Sequence, residues 1–501
     1  MTRKPKRPKA RLPRGFVDTA SDASLRRLEA IEAISSVYRL YGFEPLETPS
    51  IEYLDALGKF LPDVDAPDQG VFALRDDDEQ WLALRYDHTA PLARYVAQNR
   101  NEIVLPYRRY QVGPVYRREK PGPGRFRQFI QCDFDTVGSR SMAADAESCV
   151  VMAAGLRAAG VPADQLTIRI NNRKILDGIL TRAKVGSNDG DPAEVKSHVL
   201  RSIDKLDRIG VEGVALLLGP GRMDESGDFT KGVGLSDEQI DPIVGFVSAG
   251  IGQSTRSGVL DTLANLVDSE PTGLEGIQEL ATIDELLSAE GVDSSAAQVD
   301  PTVVRGLDYY TGPVFEAVLG ASSVEGNHNS TTSQPSSVGS VGGGGRYDQL
   351  IKRFTGQEVP ATGASIGIDR LLVALDALSQ SDQSANTGPV VVTVMDKARL
   401  SEYQRMVSEL RQAGVAAELY LGNKALGHQL KYADRRRSPL AVIAGSNEFD
   451  VDEVVIKNLA YGKQVSLEIT DRDEWLTAQD VQQSVPRDHL VASIRQLLNR
   501  P

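Results

Sequence analysis

Three separated segments gather the residue types needed to hold phosphate and a small polar cation. The first is Val115-Tyr-Arg117-Arg118-Glu119-Lys-Pro-Gly-Pro-Gly-Arg125-Phe126-Arg127-Gln-Phe-Ile-Gln131-Cys-Asp133-Phe-Asp135. It reads as strand, Gly/Pro loop, strand, a hairpin with basic residues on both arms. Guanidinium groups are planar forks that bind phosphate oxygens two at a time, and Phe126 could stack on a purine. Gln131 and Asp135 alternate with apolar neighbours, so they share one face and suit a polar or cationic ligand. Taken alone, the same pattern also fits a surface hairpin whose charges are merely solvated.

The second segment is Arg305-Gly-Leu-Asp308-Tyr309-Tyr310-Thr311-Gly-Pro-Val-Phe-Glu316. It is an unusual density of specific polar groups, or else a hairpin turn with packed aromatics. The third is Gly363-Ala-Ser365-Ile-Gly367-Ile-Asp369-Arg370, a small-residue strand feeding a helix, with Arg370 near the helix start. Small residues let a ligand come close; tight strand–helix packing is the plainer alternative. This segment contains a G-x-S-x-G pentapeptide. A hydrolase would need Ser365 on a strand-to-helix turn with His and acid partners. The preceding Pro360-Ala-Thr reads as loop, and His428 and His489 fall in what reads as another domain, so the pentapeptide is taken as a chance match. There is no Walker A loop.

The elements that must position these groups follow from periodicity. Residues 24–41 carry apolar side chains at helical spacing, with Ser21 or Asp22 available as a cap and Gly42 beyond the end. Residues 43–49 are extended and limited by proline. Strand-like runs lie near 70–75, 81–85, 112–118 and 128–137, with helices near 89–100 and 140–160. This order predicts an α+β domain, an antiparallel sheet flanked by helices, rather than a regular βαβ series. From about 165 to 290 the pattern is mostly helical and reads as a separate inserted unit. A Ser/Gly-rich stretch at about 320–342 reads as a flexible loop. After a Ser/Gln/Asn-rich linker at 379–388, residues 389–501 alternate strand and helix: 389–395, 398–413, 416–421, 424–436, 440–444 and 454–459, a small α/β domain.

Bulk properties narrow the class. The chain has 501 residues, 41% hydrophobic and 25% charged, which suits a soluble globular protein of several domains. No apolar run approaches membrane-spanning length. The two cysteines, Cys132 and Cys149, offer no disulfide framework, and the five histidines show no metal-ligand spacing. These features, with no secretory signal, predict a cytoplasmic protein. The net charge of −13 excludes a nonspecific nucleic-acid coat but leaves room for a local basic patch. Residues 1–14, rich in Lys and Arg without an acid, read as a disordered arm or an arm that touches nucleic acid.

Taken together, the segments resemble the histidyl-tRNA synthetases. The first and third are similar to motifs 2 and 3 of class II aminoacyl-tRNA synthetases, and Gly42-Phe-Glu-Pro-Leu-Glu-Thr-Pro49 to motif 1, the dimer-interface motif. Arg305-Gly-Leu-Asp-Tyr-Tyr310 resembles the segment peculiar to the family, Leu84-Arg-Tyr-Asp87-His88-Thr89 its histidine-pocket loop, and Gly343-Gly-Gly-Arg346-Tyr347-Asp348 a further family segment. The resemblance implies a class II catalytic core over 15–378 and an anticodon-binding domain over 389–501. It implies that Asp87, Thr89, Gln131, Asp135, Tyr309 and Tyr310 hold L-histidine. It places Arg117, Arg125, Arg370 and Glu119 at ATP, and Arg305 with Arg117 at the reacting α-phosphate. Mg²⁺ would accompany ATP, tRNA(His) would be the acceptor, and a homodimer would form near Gly42–Pro49. The loop Lys120-Pro-Gly-Pro-Gly124 departs from the more polar motif 2 loop of many bacterial relatives and predicts a different reading of the acceptor end. A regulatory paralogue, the subunit of ATP phosphoribosyltransferase, is the competing reading. It typically lacks the terminal domain that is present here.

Overall fold

In the computed structural model the described residues are 9–57, 70–122, 124–186, 191–224, 227–304, 310–320, 339–378, 388–459 and 481–499. The chain divides into two compact units, Met1–Gln380 and Ser381–Pro501.

The first helix, α1 (Ser21–Leu40), begins ahead of its apolar repeat, with Ala20 as N-cap and no side-chain cap; Asp22 sits in the first turn instead. It ends where Gly42 takes φ +80°. The Gly42 N–H donates to the Arg39 carbonyl and the Phe43 N–H to the Tyr38 carbonyl, both at 3.0 Å. This closure needs a left-handed residue, which glycine supplies without strain.

The main sheet has eight strands: β1 (Glu44–Pro45), β2 (Tyr107–Tyr116), β3 (Gln128–Val137), β4 (Leu166–Asn172), β5 (Ala297–Val299), β6 (Pro313–Leu319), β7 (Gly339–Arg346) and β8 (Ala361–Gly367). They lie in the order β1-β2-β3-β8-β7-β6-β4-β5. The two outer pairs, β1 with β2 and β4 with β5, are parallel and the rest antiparallel. The predicted antiparallel sheet with flanking helices is therefore present. On β3 the alternation sends Cys132 and Phe134 to one face. There Phe134 meets Tyr38 (ring centroids 5.0 Å apart) and Phe43 (5.3 Å), within a core shared with α2 (Met142–Ala158). Gln131, Asp133 and Asp135 take the other face.

Three expectations need correction. Residues 166–172 are not helical; they form β4, buried along nearly its whole length, with Leu166, Ile168 and Ile170 alternating with Thr167, Arg169 and Asn171. The helices that follow share one contiguous core with the sheet, so 165–290 is not a separate unit. Part of the expected Ser/Gly loop, 339–342, belongs to β7, while 321–338 lie outside the described residues. The glycines of β7 answer to space: a Cβ at Gly344 would collide with the Gly363 carbonyl of β8. Residues 1–8 of the basic arm and 379–387 of the linker also lie outside the described residues.

The second unit holds a five-stranded sheet of β9 (Val390–Val392), β10 (Ala417–Leu419), β11 (Leu440–Ile443), β12 (Glu453–Asn458) and β13 (Gln482–Pro486), in the order β10-β9-β11-β12-β13. Helices Leu400–Gln412, Leu426–Arg435 and Leu490–Leu498 accompany it. Tyr403 and Met406 of the first helix and Ile494 of the last fill its core beside Val390 and Val442. Among the described residues no helix is long and apolar enough to cross a membrane.

Candidate active site

Register builds the site. Opposite Gln131, Asp133 and Asp135 of β3 stand Gly113, Gln111 and Arg109 of β2 on one side. On the other side stand Gly367, Ser365 and Gly363 of β8. A polar row thus runs across three central strands on one face of the sheet. Glycine at 363 is required by Asp135, since a Cβ there would collide with the carboxylate.

Asp135 is almost fully buried. Its Oδ2 lies 2.8 Å from Arg109 Nη2, and the Tyr347 hydroxyl donates to its Oδ1. Burial pushes its carboxyl up to about 6 against the opposing pull of Arg109 and Tyr347. Asp133 behaves differently. Burial raises it too, but the facing His88 ring, Arg109 and the Ser365 hydroxyl together hold it below its ordinary value. His88 is wholly buried, with Nδ1 3.6 Å from Asp133 Oδ2.

The loop before helix Thr89–Gln98 closes the row. Asp87 Oδ1 accepts from the Ala90 N–H at 3.0 Å, and burial raises the Asp87 carboxyl. Thr89 is the first residue of that helix. Arg109 Nη2 donates to the His88 carbonyl at 3.1 Å. Arg85, also buried, donates to the Thr48 and Pro114 carbonyls at 2.7 and 2.9 Å, tying this loop to both the Pro49 segment and β2. Arg117 donates through Nε to the Tyr86 carbonyl at 3.1 Å and lies over the Phe129 ring at 5.2 Å. Burial raises the Tyr310 phenol, and the charges of Asp135, Asp87, Asp133 and Arg117 all act on it.

Asp87, Gln131, Asp135, Tyr310 and Arg117, drawn from four separated stretches, therefore converge. Arg125 and Glu119 are exposed in the connection 117–127 between β2 and β3, and Arg370 is exposed on helix Ile368–Leu378. The basic residues lie in that connection rather than on the strands; the Arg117 N–H, donating to the Arg127 carbonyl at 2.9 Å, prolongs the ladder, and Gly122 pairs with Arg125 further out. Arg305 and Tyr309 lie outside the described residues. Ser365 lies within β8, its Oγ donating to Asp133 Oδ1 at 2.6 Å. The stretch from Ala361 is strand and not loop, and Ser365 is not on a nucleophile-bearing turn.

Sequence reasoning missed Arg109, Asp133, His88, Ser365 and Tyr347 as parts of this site. Asp133 was accessible, being on the same two-residue period as Gln131 and Asp135. The others needed strand register, since Tyr347 and Asp135 are 212 positions apart. Among the described residues no group of three or more His, Cys, Asp or Glu could hold a metal ion.

Comparison with known proteins gives a consistent pattern. Residues 15–371 match the family model described as Histidyl-tRNA synthetase, and residues 389–479 the one described as Anticodon binding domain. The histidine--tRNA ligase of Cereibacter sphaeroides is 52% identical, covering 99% of each chain. That of Rhizobium meliloti is 54% identical over 98% of this chain and 96% of its own. The crystal structure of histidyl-tRNA synthetase from Nostoc sp. PCC 7120 superposes with a TM-score of 0.72 at 28% identity, covering 98% of this chain and 100% of that one.

Proposed function

The chain belongs to the histidyl-tRNA synthetase family, and from that we propose that it uses ATP to join L-histidine to tRNA(His) through histidyl-adenylate, releasing AMP and diphosphate. The observation that carries the reading is the polar face on which the buried Asp135 and Gln131 and the half-buried Asp87 and Tyr310 converge beside Arg117. Such a face discriminates, because a ligand unable to pair with its buried groups would leave them unsatisfied.

In this reading the imidazole N–H meets Asp135 and Tyr310 while Asp87, Thr89 and Gln131 take the α-ammonium, with Tyr309 completing the pocket. The histidine carboxylate attacks the α-phosphorus and diphosphate leaves. The terminal ribose hydroxyl of tRNA then attacks the acyl carbon and AMP leaves. No covalent enzyme intermediate is needed. Arg117, Arg125, Arg370 and Arg305 neutralise charge on the phosphates, and Glu119 lies at the nucleotide. Mg²⁺ would accompany ATP and supply further positive charge at the phosphates beside these arginines; no step is assigned to it. The 389–479 match favours the enzyme over a regulatory subunit lacking that domain. A cytoplasmic location and a homodimer through the segment near Gly42–Pro49 belong to the same proposal; exposed Leu40, Ile51 and Tyr53 flank that segment.

The test is ATP–diphosphate exchange without tRNA, with each of the twenty amino acids in turn. Exchange with histidine alone is expected. Its absence in a folded sample would favour the regulatory reading.

Asp135 gives this pocket a pH signature. Its carboxyl, at about 6, is neutral below that value and ionised above it. The ionised form offers both oxygens as charged acceptors to the substrate and Tyr347, whereas the neutral form carries a donor proton on one of them. The KM for histidine is therefore expected to climb as pH falls below about 6, approaching about tenfold per unit. Free imidazole titrates in the same range, so Asp135→Asn is the control. The variant should bind histidine weakly and lose most of the pH dependence; an unaltered profile would remove Asp135 from the role.

A further inference from the structure

The polar row contains one hydroxyl that the proposed function leaves unused. Ser365 Oγ donates to Asp133 Oδ1 at 2.6 Å and accepts from Gln131 Nε2 at 2.8 Å. A hydroxyl has one proton and two lone pairs. Asp133, held low by its neighbours, is an ionised carboxylate and can only accept. The Ser365 proton is therefore committed to Asp133, and what Ser365 turns to Gln131 is a lone pair. Only the amide NH₂ of Gln131 can meet a lone pair. Its other atom, Oε1, is left buried and without a hydrogen-bond partner. An amide in open solvent could turn either way; this one cannot.

We propose that Ser365 is a positioning residue for the amino-acid pocket, fixing the Gln131 amide so that its carbonyl oxygen faces the ligand as an acceptor for the substrate's α-ammonium. This rests on the function proposed above and adds to it a direction of polarity: the pocket offers oxygen, not N–H, at this point. Asp133 acts one bond further back. It keeps the Ser365 proton turned away from Gln131, and the neighbouring His88 ring and the Arg109 guanidinium favour the ionised form of Asp133. A ligand lacking the ammonium would leave Oε1 buried and unpaired, which disfavours it.

The experiment uses the full chain and histidine-dependent ATP–diphosphate exchange. Ser365→Ala frees the amide to turn. The expected result is a KM for histidine raised about tenfold, the order expected for one hydrogen bond to a charged group, with the KM for ATP within about twofold of its starting value. Inhibition by histidinol, which keeps the ammonium, should weaken in parallel. Inhibition by imidazolepropionate, which lacks it, should not change. Ser365→Thr, which keeps the hydroxyl, should restore histidine affinity. In a Gln131→Met background Ser365→Ala should add less than about twofold, because it acts through Gln131. An unchanged KM in Ser365→Ala, additivity with Gln131→Met, or equal weakening of both inhibitors would overturn the inference while the function stood. So would unfolding of Ser365→Ala below the assay temperature, which would assign the hydroxyl to the core. No histidine-dependent exchange in the unaltered protein would overturn the function and this inference with it.

Discussion

An Arg305→Ala variant is expected to lose histidine-dependent ATP–diphosphate exchange by about a hundred- to a thousandfold, the scale on which removal of one fixed donor to a developing oxyanion is felt. Negative charge accumulates on the α-phosphate oxygens as the carboxylate attacks. A guanidinium suits the task because it stays protonated and its geometry is preset. The fold should survive, because both flanks of the Arg305 segment are held by other groups. Upstream, the buried Asn171 Nδ2 donates to the Pro301 and Val303 carbonyls at 3.1 and 3.0 Å. Downstream, Arg173 donates from Nη1 to the Tyr310 carbonyl at 2.8 Å and from its backbone N–H to the Gly312 carbonyl at 3.0 Å. Asn171 of β4 and Arg173 just beyond it thus hold the described flanks, Pro301 to Val303 and Tyr310 to Gly312. The loss should fall on kcat, with KM for histidine and the melting temperature near their starting values. Near-normal exchange would remove Arg305 from the chemistry.

How much of this was legible in the sequence divides along physical lines. The strand over 128–137, the helices near 24–41 and 89–100, and the alternating elements after 389 were readable because each is periodic over its own length. The strand β4 was overlooked although its two-residue alternation was there to read: Leu166, Ile168 and Ile170 against Thr167, Arg169 and Asn171, a short run at the head of a long helical stretch. The Gly-rich β7 was read as loop because its glycines are explained by the backbone of β8 and not by anything nearby in sequence. The site divides in the same way. Gln131 and Asp135 could be paired from their spacing alone. Arg109, Ser365 and Tyr347 join them only through ladder register, which a single sequence does not display. The two-residue polar period of β3 was itself only partly used: it pointed to Asp133 as plainly as to its neighbours.

Arg346→Ala is expected to destabilise the protein by about 3–5 kcal/mol, the penalty for leaving one member of a buried ion pair without its partner. Arg346 and Asp145 are 3% and 0% exposed, and the guanidinium is bonded to that carboxylate. It also donates to the Ser139 and Ser141 carbonyls at 2.9 and 3.3 Å. Ser141 is the N-cap of α2, so the one side chain fastens the end of β7 to the start of that helix. Burial lifts the Asp145 carboxyl to about 6 even with Arg346 pulling it down. A carboxyl raised in the folded state contributes stability at low pH, below its unfolded value, and loses it as pH climbs through the folded one. Without Arg346 the carboxyl stands higher still. The gap in melting temperature between Arg346→Ala and the unaltered chain should therefore be smaller at pH 5 than at pH 8. Adding Asp145→Asn should recover part of the loss at pH 8, since an amide carries no charge to strand. Equal gaps at the two pH values would mean that the lost hydrogen bonds, not the stranded charge, set the cost. The pair also bears on function: the Arg346 carbonyl accepts from the Thr311 N–H at 2.7 Å, and Thr311 follows Tyr310 in the pocket. A loosened β7 should thus weaken histidine binding before it unfolds the chain, and restoring stability through Asp145→Asn should restore affinity only as far as that strand end is held again.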